Sequence, residues 1–244
     1  MCTVKDIAGL LQGCIDYWRF PWMKQVYGGP FNGQEFRQSI FREVIAKTGC
    51  GAIVETGTHK GTTAEYMHDV SRLPVYTVEL SPRHFAYART RFRRNRAINC
   101  HIGDSRAFLR SLTKEQGLPA DKSVFFYLDA HGEKDLPLGE ELNTIFQSWP
   151  KAIVMIDDFK VEGDSGYGFD SYGPGKALEM AYLDEVSGLD LARYYPAASS
   201  DRETGAKRGC VVLAQDAGTV ELLARVETLS RFERLPQEST GSVS

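Results

Sequence analysis

Four short runs of β-branched, aromatic and other apolar residues recur along the chain: AIVET at 52–56, VYTVEL at 75–80, VFFYLD at 124–129 and AIVMIDD at 152–158. Each is nearly continuous rather than alternating, the mark of a strand covered on both faces. NCHIGD at 99–104 is a weaker fifth. Helical patterns fall between them, at 62–70, 82–95, 105–112 and 138–149, and Pro82 after Ser81 sits where a helix start tolerates proline. Strand and helix in alternation predict an α/β fold with a doubly wound, mostly parallel sheet. Ligands bind such sheets at the carboxyl ends of the strands, so the residues that close each run are the candidate site residues.

A chain of 244 residues suffices for one large domain, and neither an internal repeat nor a second-domain linker is visible. Upstream, 3–18 and 34–47 read as helices flanking FPWMKQVYGGPFNG. Downstream of Asp158 comes a Gly- and Tyr-rich loop, then a helix near 175–185, late strands ARYYPA and RGCVVLA, and a closing helix over 220–235. The net charge of -3 argues against bulk attraction to nucleic acid or anionic membrane. Five scattered cysteines without a C-x-x-C pair fit neither a disulfide framework nor a zinc knuckle, and suit a reducing cytoplasm. The N-terminus does not read as a signal peptide, and no apolar run approaches the roughly 20 residues that span a bilayer.

The first strand runs into Glu55-Thr-Gly57-Thr-His-Lys-Gly61, a bend that opens a helix. Gly57 permits a tight turn and close approach of a ligand to the main chain, and Gly61 permits close packing at the helix start. Amides at that helix start offer donors to a polar ligand. The G-x-x-x-G spacing is not the dinucleotide G-x-G-x-x-G, which speaks against NAD or flavin. Glu79 closes the second strand, where an acid accepts hydrogen bonds from ribose hydroxyls in nucleotide-binding folds; it also reads simply as a surface acid. Asp104 reads either as an acceptor for an adenine amino group or as a helix cap.

Asp129, Asp157 and Asp158 close the strands at 124–129 and 152–158. Neighbouring strand ends lie about 5 Å apart, so the carboxylates can converge, and without a cation at least one would be driven to protonate. A divalent cation removes that penalty, and an all-oxygen set suits Mg²⁺, Mn²⁺ or Ca²⁺. Asp157 and Asp158 both reach one site only if the chain has begun to turn; helix caps or solvated acids are the other reading. His131, two residues beyond Asp129, reads as a general base, a metal ligand, or an imidazole satisfied by a loop carbonyl. The helix at 82–96 carries six arginines, which read as an RNA surface or as stems covering the sheet edge. YGGPFNGQ at 27–34 and GYGFDSYGPG at 166–175 interleave glycines with aromatics and read as lids over an acceptor or as a homodimer contact.

VETGTHKGTT, VYTVEL, GDSRAFL, FFYLDAH and IVMIDDF, in that order, resemble the motifs of class I S-adenosylmethionine (SAM)-dependent methyltransferases. The branch most similar holds macrolide-sugar and aminocoumarin O-methyltransferases, and the resemblance covers roughly 50–215. It implies a seven-stranded Rossmann-like sheet with an antiparallel last strand. The chain then divides into N-terminal helices and a lid segment (1–48), the methyltransferase domain (49–236) and a tail whose composition reads as disordered (237–244). The resemblance implies that Glu55, Thr56, Gly57, Thr58, Gly61 and Thr62 hold the methionine half of SAM, Glu79 the ribose, and Asp104 with Ser105 the adenine, with Asp129 beside the cofactor. It places metal-binding carboxylates at Asp129, Asp157 and Asp158, for Mg²⁺ or another divalent cation; from their own chemistry and place in the cleft, His131 and Asp129 are the candidate catalytic residues. The family usually has an acid where this chain has His131. The activity implied is methyl transfer to a hydroxyl of a small-molecule acceptor; an RNA methyltransferase and a non-catalytic binding protein on the same fold are the alternatives.

Overall fold

The computed structural model describes residues 3–113, 118, 122–132 and 136–232. Strands β1 (Ala52–Thr56), β2 (Val75–Glu79), β3 (Ile98–Ile102), β4 (Val124–Leu128) and β5 (Ala152–Ile156) lie parallel, and β6 (Ala192–Pro196), β7 (Val211–Ala214) and β8 (Leu229–Arg231) extend them antiparallel. The sheet order is β3-β2-β1-β4-β5-β7-β6-β8. Every residue of β1, β4 and β5 is buried, as their continuous apolar sequences require.

Period-two alternation then divides the core in two. Val54, Phe126, Leu128, Val154 and Ile156 enter one apolar cluster with α5 (Ser105–Leu112), α6 (Leu138–Ser148) and α7 (Met180–Ser187). Ile53, Phe125, Tyr127, Ile153 and Met155 enter the other with α2 (Glu35–Thr48), α3 (Thr62–Ser71), α4 (Pro82–Phe92) and α8 (Ala217–Leu223). Each large side chain buried this way contributes about 1.5–3 kcal/mol. Outside α4 lies α1 (Val4–Arg19), joined to it by the Arg83–Asp16 ion pair at 2.6 Å. Register levels the sheet's carboxyl edge: Thr56 pairs with Leu128, and Leu128 with Ile156, so the residues that follow emerge side by side.

The sheet has eight strands rather than seven, and the difference lies in the expected closing helix. The run Val220, Leu223, Val226 and Leu229 has helical spacing, yet α8 stops at Leu223. Glu43 on α2 accepts hydrogen bonds from the backbone amides of Glu227 (2.8 Å) and Thr228 (3.0 Å), which fixes a turn there. The chain beyond it pairs with the open edge of β6. A helix also begins later than expected after the Gly- and Tyr-rich loop, at Met180. The 237–244 tail lies outside the described residues, as does the end of the 49–236 expectation.

Gly61 caps α3 with φ +75°, and a Cβ there would stand 2.2 Å from Phe92 Cζ. Gly61→Ala should therefore cost about 2–4 kcal/mol, from overpacking plus left-handed backbone strain. Urea unfolding with an unchanged m-value measures it; a loss under about 0.5 kcal/mol would mean the α3–α4 contact yields freely.

Candidate active site

A cleft of about 550 Å³ opens at the carboxyl edge of the sheet, within the size range of small-ligand sites. Its floor is the β1–α3 turn. Gly57 has φ +88°, and a Cβ there would stand 2.2 Å from the Asp129 carbonyl oxygen, so only glycine lets this turn run against the end of β4. The amides of Gly57 and Thr58 both donate to the Val78 carbonyl, at 3.0 and 3.1 Å, which ties the turn to β2. Thr58 and Thr62 line the cleft. Gly61 does not; its place is the helix contact with Phe92. Thr56 does not either. One residue on from Glu55, its side chain takes the opposite face of the sheet and is fully buried there.

Two carboxyls from β1 and β2 enter the cleft. Glu55 accepts from Thr77 Oγ1 at 2.6 Å, and Thr77 Oγ1 lies 2.5 Å from Thr58 Oγ1. Burial pushes the Glu55 carboxyl up to about 8 against that hydrogen bond, with Asp129 and Glu79 adding to the rise. Glu79 accepts from the backbone amides of His59 (2.6 Å) and Ser81 (2.8 Å); burial raises its pKa despite them. Asp104 lines the cleft and also caps α5, accepting from the amides of Arg106 and Ala107 at 3.0 and 3.1 Å. Its hydrogen-bonded ion pair with Arg106, at 2.7 Å, lowers its pKa. A cap and a cleft-facing acid thus coexist in one residue. Ser105 completes this end of the cleft.

The carboxylates at the ends of β4 and β5 do not all converge. Asp157 is fully buried and turned inward, accepting from Tyr127 Oη at 2.5 Å, forming an ion pair with Arg37, and taking the Asp158 amide at 2.8 Å. It is withdrawn from any cation in the cleft. Asp158 adopts φ +52°, and this turn sends its side chain into the cleft instead. The ligand-like group is Asp129, His131 and Asp158, whose donor atoms lie within 4.8 Å of one another. His131 takes the place expected of Asp157.

Among the described residues, His131 Nε2 is buried without a hydrogen-bond partner, 3.7 Å from Asp158 and 3.9 Å from Asp129. Burial opposes its charged form, but Asp158, Asp129 and Asp170 outweigh it and raise the pKa. Burial also pushes Asp129 up to about 7, partly offset by His131. Asp158 is held below the ordinary value, because His131 and Arg208 outweigh its burial.

Arg208 escaped the sequence reading. Its Nε donates to Asp158 at 2.6 Å, and its guanidinium pairs with Asp170, which in turn accepts from Tyr172 Oη at 2.5 Å. His59 and Lys60, which line the cleft, and Arg37, the partner of Asp157, were missed as well; an arginine before a late strand gives no local sign of a partner 50 residues away. Of the two expected lids, the first brings Tyr27 and Asn32 to the cleft wall, beside Val26, while the second supplies Asp170 and Tyr172 behind Arg208. On the arginine-rich α4, Arg83 pairs with Asp16 and Arg91 with Glu65, and beyond its end Arg93 stacks over Trp18.

Solved structures share this architecture. An O-methyltransferase from Bacillus cereus, in complex with SAH, is similar at TM-score 0.51 and 17% identity, over 73% of this chain and 81% of that one. The O-methyltransferase TomG from Streptomyces achromogenes, involved in tomaymycin synthesis and in complex with SAM, gives 0.51 and 17%, over 73% and 79%. A putative O-methyltransferase from Klebsiella pneumoniae gives 0.52 and 16%, over 86% and 90%. The chain has the class I methyltransferase fold. No protein-family model and no curated protein matches it. Among the described residues, no helix is long and apolar enough to cross a membrane. On this methyltransferase fold the acids of β1 and β2 and the Asp129–His131–Asp158 group share one cleft.

Glu55 makes stability depend on pH. Between the ordinary pKa of 4.5 and about 8, the folded chain holds a proton that the unfolded chain has released. Its contribution therefore falls as pH rises through that window, by roughly 1 kcal/mol per pH unit, and levels off above. Relative to Glu55→Gln, the wild type should lose stability steadily from pH 5 to a plateau near 8 in urea melts. Parallel curves for the two proteins would show that Glu55 titrates normally.

Proposed function

We propose that the protein transfers the methyl group of SAM to a hydroxyl oxygen of a small molecule. The observation that carries this reading is the single cleft in which Glu55, Glu79 and Asp104, from successive strand ends, adjoin the Asp129–His131–Asp158 group. In the reading, Glu79 takes the ribose hydroxyls, Asp104 and Ser105 the adenine end, and Glu55 with Gly57, Thr58 and Thr62 the methionine end. The acceptor lies against Asp129, His131 and Asp158, under the wall formed by Val26, Tyr27 and Asn32. The internal ion pairs of α4 favour a small acceptor over RNA, because Arg83 and Arg91 are already matched to acids.

The sulfonium methyl is electrophilic by itself, so the chain's work is alignment and proton removal. His131 is the group to take the hydroxyl proton: its Nε2 is unpartnered and faces two carboxylates that stabilise the imidazolium it becomes. The same nitrogen and the oxygens of Asp129 and Asp158 also fit a divalent cation. The imidazole shifts the preference toward Fe²⁺, Ni²⁺ or Zn²⁺, away from the Mg²⁺ or Ca²⁺ suited by the all-oxygen set expected from the sequence. When bound, such a cation would polarise the acceptor hydroxyl and lower its pKa.

Titration calorimetry with SAM and SAH tests the cofactor. Glu79→Ala should weaken binding by roughly 10-fold or more, through lost charge-assisted hydrogen bonds. No heat from the native protein at millimolar ligand would sink the methyltransferase reading.

The cation is tested by thermal stability. At ~100 times its dissociation constant it should add about 2.7 kcal/mol. Asp158→Asn and His131→Ala should blunt that gain. Asp157→Asn should lower stability with and without metal and leave the gain intact, since Asp157 serves Arg37. If His131 acts only as base, His131→Ala should keep the metal gain and SAM affinity while turnover drops roughly 10²–10⁴-fold.

A further inference from the structure

Helix α1 turns its polar and small residues inward, Gly13, Asp16 and Tyr17 being buried, and its large apolar residues outward. Val4, Ile7, Leu11, Ile15 and Trp18, with Trp22 in the turn that follows, are between 50% and 83% exposed. At 100° per residue the five helical positions fall within an arc of about 80°, directly opposite the buried face. This is an unbroken apolar seam with the 3-4 spacing that helix pairing uses. A seam of this kind on an otherwise charged surface marks an interaction site.

We infer that α1 is the contact of a two-fold homodimer, in which it lies antiparallel against α1 of a second copy. Two features point to a copy of this chain. The first is that the seam is symmetric about Leu11: Ile7 and Ile15 stand four residues to either side of it, Val4 and Trp18 seven. An antiparallel partner therefore places Leu11 on Leu11, Ile7 on Ile15 and Val4 on Trp18, the self-complementary pairing that a two-fold axis demands.

The second is the area. The six exposed side chains present roughly 800 Å² per protomer, about what one partner contributes to a standard interface. Tryptophans carry much of the energy at such contacts. Trp18 is already held in place, edge to face with Tyr17 at 5.2 Å and under the Arg93 guanidinium at 4.6 Å. An anionic lipid surface, the other apolar-binding partner, is opposed by the net charge of -3.

Sedimentation velocity of the full chain over ~1–100 μM should show a species of twice 27.3 kDa. Leu11→Asp puts two like charges on the axis and should raise the dimer dissociation constant ~100-fold or more, with circular dichroism and cleft ligand binding unchanged. Ile7→Lys and Ile15→Glu should each give monomers. An equimolar mixture of the two variants should restore dimers, because positions 7 and 15 face each other across the axis and would then carry opposite charges. A monomeric wild type at the highest concentration overturns the inference. So does a dimer indifferent to Leu11→Asp, or a mixture that stays monomeric. Wild-type monomers that sediment with phosphatidylcholine–phosphatidylserine vesicles, and lose this with Leu11→Asp, would assign the seam to a membrane surface instead.

Discussion

The buried ion pair between Arg37 and Asp157 is the interaction on which the cleft depends. Charges sealed from water cost several kcal/mol each unless matched and hydrogen-bonded, so this pair fixes its surroundings closely. Asp157 also takes the Tyr127 hydroxyl and the Asp158 amide, which joins β4 to β5. Arg37 donates to the Arg208 carbonyl, and Gln34 grips the same residue twice, through its carbonyl (2.8 Å) and its amide (2.9 Å). One end of α2 is thereby bound to the last turn of β5 and to the approach to β7. The adjacent aspartates divide the work: the first anchors this junction, and the second, freed by its left-handed backbone, enters the cleft.

The electrostatics of the cleft follow from how that edge is enclosed. Burial raises the pKa of Glu55 to about 8 and of Asp129 to about 7, and raises that of Glu79 as well, so ionising all three together is opposed. A ligand carrying positive charge would draw them into ionised form and be held by them. For the proposed cofactor, the sulfonium and ammonium of SAM would supply that charge.

Much of the fold was legible because the central strands are continuous apolar runs, and a run covered on both faces has few alternatives. The eighth strand was not, because Val220, Leu223, Val226 and Leu229 keep a helix period while a remote carboxylate, Glu43, breaks the helix between them. At the site, Glu55, Glu79, Asp104, Asp129 and Asp158 were legible from their places at strand ends. Thr56 and Asp157 were misplaced for one shared reason: strand residues alternate in face, and the residue at which the chain leaves the strand decides which neighbour reaches the cleft. Arg208 and Arg37 were invisible because their partners lie far off in sequence, and charge alone does not announce a pairing.

Arg208 and a cation need not compete for Asp158. The carboxylate gives Oδ1 to Arg208 at 2.6 Å, while Oδ2 faces His131 Nε2 at 3.7 Å, so one oxygen is spoken for and the other looks into the donor group. Asp170 is divided the same way, Oδ1 to Arg208 and Oδ2 to Tyr172. Partners of this sort orient a ligating side chain and set its basicity without touching the ligand. The Gly- and Tyr-rich loop that carries Asp170 and Tyr172 is therefore coupled to the cleft through Arg208. Through these contacts the loop helps set the position of Asp158, which faces His131, although Asp170 and Tyr172 do not line the cleft.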